Sequence, residues 1–318
     1  MGRVEAMRRV SRADLMLLVT VVLWGFNVTV TKYVLEHGFR PLAYSAVRYG
    51  GAALLFCGVT YGLERTLRVR RGDLPLLLLA AGLGVWLNQL SFMYAVKLTT
   101  ATTVGLVLGT IPIFTALIAR AFGIERLSRR FWAASAVSFG GVGLVAAGSG
   151  GGLSGDVAGD LLAIATSATW AAYSVAIAPL MRRYSPYQIS AFVLVAGWIG
   201  LAATAATQLG SQDWGAVPTL GWLGLAFAIL GPLVLTNVLW FTAIDEVGPS
   251  RATLVSNLQP FVAAIFALVI LSERITALQI LGGVAIGVGI VLSREGRRPR
   301  PIEVVEEERV PATKAAAR

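Results

Sequence analysis

ATTVGLVLGTIPIFTALIARAFGIER (residues 101–126) is followed 148 positions later by PSRATLVSNLQPFVAAIFALVILSER (residues 249–274). Each holds an apolar run with a proline at the same position and Glu-Arg at its end. In this register Pro112 meets Pro260 and Glu125-Arg126 meets Glu273-Arg274, while Leu106, Val107, Ala116 and Ala119 meet identical residues. The register holds without a gap over 88–144 and 236–292. There Ala95, Gly141 and Leu144 also find identical partners, giving ten identities in 57 positions. In so Ala/Leu/Val-rich a chain the weight falls on the proline and the Glu-Arg pair, which are rare residue types here. Further upstream, with small gaps, Trp24 falls near Trp170 and Pro41 near Pro186.

The rest of the chain reads as two copies of one helical membrane unit. Its 318 residues are 56% hydrophobic and 14% charged, with mean hydropathy +0.72. Soluble domains carry roughly 25% charge, so most of this surface faces something other than water. Ten apolar runs stand between charges, Gly or Pro: 13–35, 42–61, 74–95, 101–122, 131–148, 159–180, 188–209, 219–243, 250–271 and 276–293. They are too long for barrel strands, and hydrocarbon offers no partner to an unpaired backbone group, so all ten are expected to be helices. The predicted organisation is a basic N-terminus (1–12), a five-helix repeat (13–148), a flexible linker (149–158), a second five-helix repeat (159–293) and a charged, aperiodic tail (294–318) expected to be disordered. Arg3, Arg8, Arg9 and Arg12 imitate the start of a signal peptide. The run 13–35, however, is too long for one and lacks a small-x-small cleavage site.

Lys and Arg set the expected orientation. With the N-terminus in the cytoplasm, 22 of the 27 basic residues fall on the cytoplasmic side; only Arg40, Lys97 and Arg274 lie outside, and Lys32 and Arg48 lie within spans. Both termini are therefore expected in the cytoplasm of an inner (plasma) membrane. A net charge of +10 reads as topology signal and contact with anionic headgroups, not as a nucleic-acid surface. Cys57 is the only cysteine, so no intrachain disulfide can form. Five is odd, so the second repeat enters the membrane upside-down relative to the first. The fold class predicted is an all-α polytopic membrane protein with ten transmembrane helices in a 5+5 inverted-topology repeat. That is a common plan of secondary transporters, with the substrate site near the midplane between repeats.

The chain resembles the drug/metabolite transporter superfamily, and within it the EamA-type ten-span permeases. The matching pieces are LWGFNVTVTKYV and RPLAYSAVRYGGAALL in the first two spans, then SFMYAVKLTTATTVGLVLGTIPIFTALIARAFGIERLS and GGVGLV. The second copy supplies TWAAYSVAIAPLM and IDEVGPSRATLVSNLQPFVAAIFALVILSERITALQILGGVAIGVGIVL. Together they cover nearly all of 13–293. The resemblance implies a central cavity between the halves and efflux or exchange of small metabolites such as amino acids; it names no substrate. The chain departs from the small four-span multidrug relatives, which use a carboxylate in their first span, because the Asp and Glu residues here sit at span ends or in loops and none lies in the interior. Cargo is therefore expected to be neutral, zwitterionic or anionic.

Mid-span polar and aromatic residues are the cavity candidates: Trp24, Asn27, Arg48, Asn88, Gln89, Trp170, Tyr173, Asn237, Asn257 and Gln259. Trp and Tyr ordinarily populate interfaces, so central ones are unusual, and their faces suit apolar or aromatic cargo. An amide in hydrocarbon needs a partner, which is equally well a neighbouring helix. Arg48 lies about 10 Å past Pro41 along its helix, too deep to reach the interface easily. It is read evenly as a packing clamp or a substrate contact. Lys32, near a helix end, is expected to snorkel and to pair weakly with Glu36. Tyr94 and Trp240 are secondary candidates. Pro112 and Pro260 are candidate hinges, each expected to kink its span. Gly283/Gly287 and Ala136/Gly140 offer small-residue faces, read mainly as contacts within one chain. The two Glu-Arg pairs are expected to cap or pair helix ends, with a gate latch as the alternative.

The expected function is secondary transport of a small metabolite, amino-acid-like or aromatic, by alternating access. A multidrug or toxic-compound exporter is the alternative, and a membrane-embedded enzyme is the rival from another class. The only histidine is His37, and no Ser/His dyad, HExxH or Cys cluster appears, so no enzymatic activity is expected. No cofactor, metal or nucleic-acid partner is expected. The partners implied are a small molecule and the lipid bilayer; the oligomeric state is open, with a monomer slightly favoured.

Overall fold

The computed structural model describes residues 12–123, 128–148, 157–247, 255 and 258–294. The basic N-terminus before Arg12, most of the linker, the tail beyond Arg294, Glu125-Arg126 and Asn257 lie outside the described residues. Every regular element described is a helix. In chain order they are α1 (Arg12–Glu36), α2 (Pro41–Glu64), α3 (Arg71–Leu98), α4 (Ala101–Leu108), α5 (Ile111–Ala121), α6 (Arg129–Gly148), α7 (Val157–Ile177) and α8 (Pro186–Ser211). Then come α9, running from Thr219–Ala228 through Ile229–Leu235 into Thr236–Val247, α10 (Gln259–Ile270) and α11 (Ala277–Arg294).

Among the described residues, α1, α2, α3, α7, α8 and α9 are long and apolar enough to cross a bilayer; α4 and α5 make a seventh if that pair, bent by 42°, counts as one span. α10 and Ala277–Gly289 of α11 are shorter apolar helices. The outward faces carry large apolar side chains, such as Leu54 (78% exposed), Val269 (71%) and Ile265 (59%). In water such a surface would be an aggregation liability; against lipid it is the solvent-facing side. The chain is a polytopic helical membrane protein.

Local sequence explains where helices start. Pro41 and Pro186 each sit in the first turn, after the extended residues Arg40 and Ser185, where a missing N–H costs nothing. Ser185 caps α8 by accepting from the Gln188 N–H at 3.1 Å. Pro112 and Pro260 follow the same rule: each stands in the first turn of its helix, α5 and α10. This corrects the expectation of a proline kinking a continuous helix. The break falls just upstream, at Gly109–Thr110 before α5, and proline begins the new segment.

The packing is reciprocal between the two halves. α3 lies on α7 as α9 lies on α1; α5 lies on α7 as α10 lies on α1; α2 pairs with α8 and α6 with α11. The α6–α11 crossing repeats itself at the 148-residue offset. A Cβ on Gly141 would fall 2.6 Å from the Gly282 carbonyl oxygen, and one on Gly289 would fall 2.5 Å from that of Ala134. Ser138 donates to the Ile286 carbonyl at 3.2 Å across the same crossing. The close approach is thus made by Gly141, Gly282 and Gly289. Gly283 faces Leu106 and Gly140 meets nothing within 4 Å, so the small-residue faces read from sequence were out of register with the contact. A second crossing sets Gly105 of α4 and Gly109 just past its end against Ala263 and Pro260 of α10.

Candidate functional site

α3 and α9 each contain a π-helical stretch, Gly82–Leu87 and Ile229–Leu235, at equivalent positions of the repeat. Wide turns of this kind recur at functional sites. Between them, with α2, α7 and α8, lies a cavity of about 50 Å³ walled by Tyr49, Gly84, Trp170, Tyr173, Ser190 and Asn237 among apolar side chains. Gly84 is required there: a Cβ would sit 2.4 Å from the Tyr173 ring. Trp170 and Tyr173 form a tilted pair 5.3 Å apart. In α9, Pro232 disrupts the backbone ladder, and side chains take up the exposed carbonyls. Thr236 Oγ1 donates to Pro232 at 2.5 Å, Trp24 Nε1 donates to Pro232 and Thr236, and Asn237 donates to Leu233. Irregular backbone at membrane depth persists only when so satisfied.

Arg48 lies beside this cavity, 2% exposed. Its guanidinium carbon is 5.1 Å from the ring centre of Tyr49, itself a cavity wall, and 5.4 Å from that of Tyr44. Arg48 Nη2 donates to Gln89 Oε1 at 2.8 Å; Ser45 donates to the same oxygen at 3.3 Å. Gln89 Nε2 passes the chain to Asn88 Oδ1 at 3.2 Å, and Asn88 Nδ2 donates to the Thr166 carbonyl and Thr169 Oγ1 on α7. Arg48 Nε and Nη1 make no hydrogen bond of normal geometry among the described residues, although the Tyr44 and Tyr49 hydroxyls interact with the guanidinium as neutral groups. A guanidinium offers five donors and no acceptor, so this buried cation is under-satisfied.

Lys32 plays a different part. Its Nζ donates to the carbonyls of Val96 (3.0 Å) and Thr99 (2.9 Å), capping the end of α3, with Glu36 at 3.5 Å. The adjoining turn is gripped from the second half: Glu273 accepts from the N–H groups of Ala101 and Thr102 and the Thr102 hydroxyl, and Asp160 accepts from Thr99 Oγ1. Glu273 is thus a helix cap, as one reading of its motif expected. At the same face, Gln208 and Gln212 of the second half accept from the N–H groups of Leu42 and Arg40 at the start of α2. At the opposite face Asp73 meets Arg183 at 2.6 Å and Tyr184 at 2.7 Å, and Ser185 donates to Glu64 at 2.5 Å. Contacts between the halves therefore stand at both faces.

Of the sequence candidates, Trp170, Tyr173 and Asn237 line the cavity, and Arg48, Asn88 and Gln89 form the polar cluster next to it. Trp24 pairs with Trp240 at 5.3 Å, fastening α1 to α9. Asn27 is half-buried, with Oδ1 unpartnered among the described residues. Tyr94 accepts from Gln208 at 3.0 Å, away from the cavity. Pro260 packs on Gly109, and half-buried Gln259 at the head of α10 is not among the cavity walls. Sequence reasoning missed Tyr49, Gly84 and Ser190. The offset of 148 pairs Gly84 with Pro232, the one signal that could have marked that level.

A polytopic helical bundle built of two reciprocal halves around a small central cavity is the architecture of a membrane transporter. The EamA-like transporter family matches residues 11–147 and again 157–294, and the chain belongs to that family. It is 25% identical over 285 residues to a "Probable terminal-alkyne amino-acid exporter" of Streptantibioticus cattleyicolor, covering 89% of this chain and 93% of that protein. It is 28% identical over 307 residues to a "Probable amino-acid metabolite efflux pump" of Escherichia coli strain K12, covering 91% and 97%. It is 24% identical to the "Uncharacterized transporter YyaM" of Bacillus subtilis, covering 87% and 92%. A solved crystal structure shares the fold with TM-score 0.62 at 19% identity, over 89% of this chain and 98% of that one.

Proposed function

We propose that this chain exports or exchanges a small neutral, zwitterionic or anionic metabolite, amino-acid-like or aromatic, by alternating access around the cavity between its halves. The observation that carries the reading is the cavity's composition: Tyr49 and Gly84 from the first half face Trp170, Tyr173, Ser190 and Asn237 from the second. Relatives named as amino-acid exporters support the cargo class. In this reading the chain crosses an inner membrane ten times, with α4 and α5 as one span, as an inverted 5+5 repeat with both termini cytoplasmic. The twofold family match and the reciprocal packing support that plan. At about 50 Å³ the cavity is far below the roughly 300–1,000 Å³ of ligand pockets, so it must widen to take cargo. Pro112, just after the break before α5, and Pro260, in the first turn of α10, are the proposed hinges.

Flux of radiolabelled phenylalanine and related metabolites in proteoliposomes tests the transport reading; Trp170→Ala should lower it at least several-fold. A membrane enzyme would convert such compounds without moving them. The topology is tested by cysteines at Lys97 and Asp245 in a Cys57→Ser background: an impermeant reagent must label them from opposite sides, and labelling from one side removes the inverted plan.

A further inference from the structure

We infer that the cargo is a monoanionic carboxylate with an apolar or aromatic body, anchored at Arg48, and that such anions are preferred over zwitterions. This rests on the transport reading above and narrows its substrate class.

Arg48 is nine-tenths buried and more, at about 2% exposure, yet it has no carboxylate partner among the described residues. One of its nitrogens is used by Gln89, while Nε and Nη1 make no hydrogen bond of normal geometry. The two tyrosines supply cation–π contact, and their hydroxyls interact with the guanidinium only as neutral acceptors, which leave its charge uncompensated. Burying a charge is costly unless it is paired and hydrogen-bonded, and a carboxylate meets both needs, accepting from a guanidinium more strongly than any neutral group. The Gln89–Asn88–Thr169 chain ties the guanidinium through α3 to α7, where Thr169 adjoins Trp170 in sequence. A carboxylate at Arg48 therefore directs the rest of the cargo along Tyr49 towards aromatic and aliphatic walls.

The charge balance then discriminates. Arg48 plus a monoanion is neutral. A zwitterion adds an ammonium, for which the cavity walls offer only the Ser190 hydroxyl, the Asn237 amide and ring faces. The Asp and Glu residues of the described helices lie at or near helix ends, and none is a wall of the cavity to receive it. Transport of such an anion moves one negative charge per turnover, so an inside-negative membrane potential drives its export. A potential of 100 mV sustains roughly a 50-fold gradient of a single charge.

Thermal stabilisation of the detergent-purified full chain tests this with four probes sharing one ring: phenylpyruvate, N-acetylphenylalanine, phenylalanine and phenylethylamine. Both monoanions should stabilise at concentrations at least tenfold below phenylalanine, and the amine should not stabilise at all. Arg48→Gln should abolish the response to the monoanions and Arg48→Lys should retain part of it, with monodispersity on size exclusion reporting the fold. Phenylalanine equal to or better than its N-acetyl derivative overturns the inference, as does monoanion binding indifferent to Arg48→Gln, or no response to any probe. The order of the four probes on the unsubstituted protein decides the matter even if the variants do not fold. Proteoliposome flux is read separately: phenylalanine moving while the monoanions do not leaves the transport reading standing and removes this one.

Discussion

Lys32 and Arg48 carry the same formal charge on neighbouring helices, and the structure gives them opposite tasks. Lys32 closes the carbonyl end of α3, where its ammonium serves Val96 and Thr99. Removing it strands those acceptors, so Lys32→Met should cost about 2 kcal/mol, in the range of hydrogen bonds to charged groups, seen as a lower unfolding midpoint in detergent. The exposed Glu36 adds little to this, as paired surface charges generally do. Arg48 is the reverse case. Because the cation is under-partnered, Arg48→Met should leave stability unchanged or raise it, while ligand-induced stabilisation disappears. The sequence marked both residues by type and depth. Depth already set them apart, but it could not show which backbone Lys32 reaches, since those carbonyls lie 64 and 67 positions along the chain.

Helices were legible in the sequence because apolar runs ended by Gly, Pro or charge have only one outcome in hydrocarbon. Irregularities within them were not. Gly82–Leu87 contains no proline and reads as ordinary helix, and its wide turn emerges only where Gly84 must accept the Tyr173 ring. Trp170, Tyr173 and Asn237 could be picked out as polar or aromatic groups at mid-span, whereas Tyr49 was not singled out beside Arg48 and Gly84 had no chemistry to flag. Gly84→Ala should push the Tyr173 ring into the cavity and lower flux at least tenfold while the protein still purifies as a folded species. At the α6–α11 crossing, Gly141→Val collides with the Gly282 carbonyl and should destabilise by about 1–3 kcal/mol, the usual cost of overpacking. Gly140→Val, one residue away with open space around it, should be neutral; equal effects at the two positions would show that the crossing is not as described.

For the molecule as a whole, the proposed cycle uses the contacts between halves at the two faces as seals. Weakening one seal should bias the equilibrium towards opening there. A cysteine at Ser190 in a Cys57→Ser background should therefore react faster with an impermeant thiol reagent once Asp73→Asn removes the contacts to Arg183 and Tyr184. An unchanged rate would show that this contact does not control access. The α2–α8 pair bears on how such opening proceeds. Gln208 and Gln212, from the end of α8, hold the start of α2, and Glu64, the last residue of α2, holds Ser185 at the start of α8. Each rod is thus pinned at both tips by the other, and sliding one along its axis would strip the ends of its mate. The pair behaves as a rigid strut through the centre of the protein, and whatever swings during a cycle must swing around it.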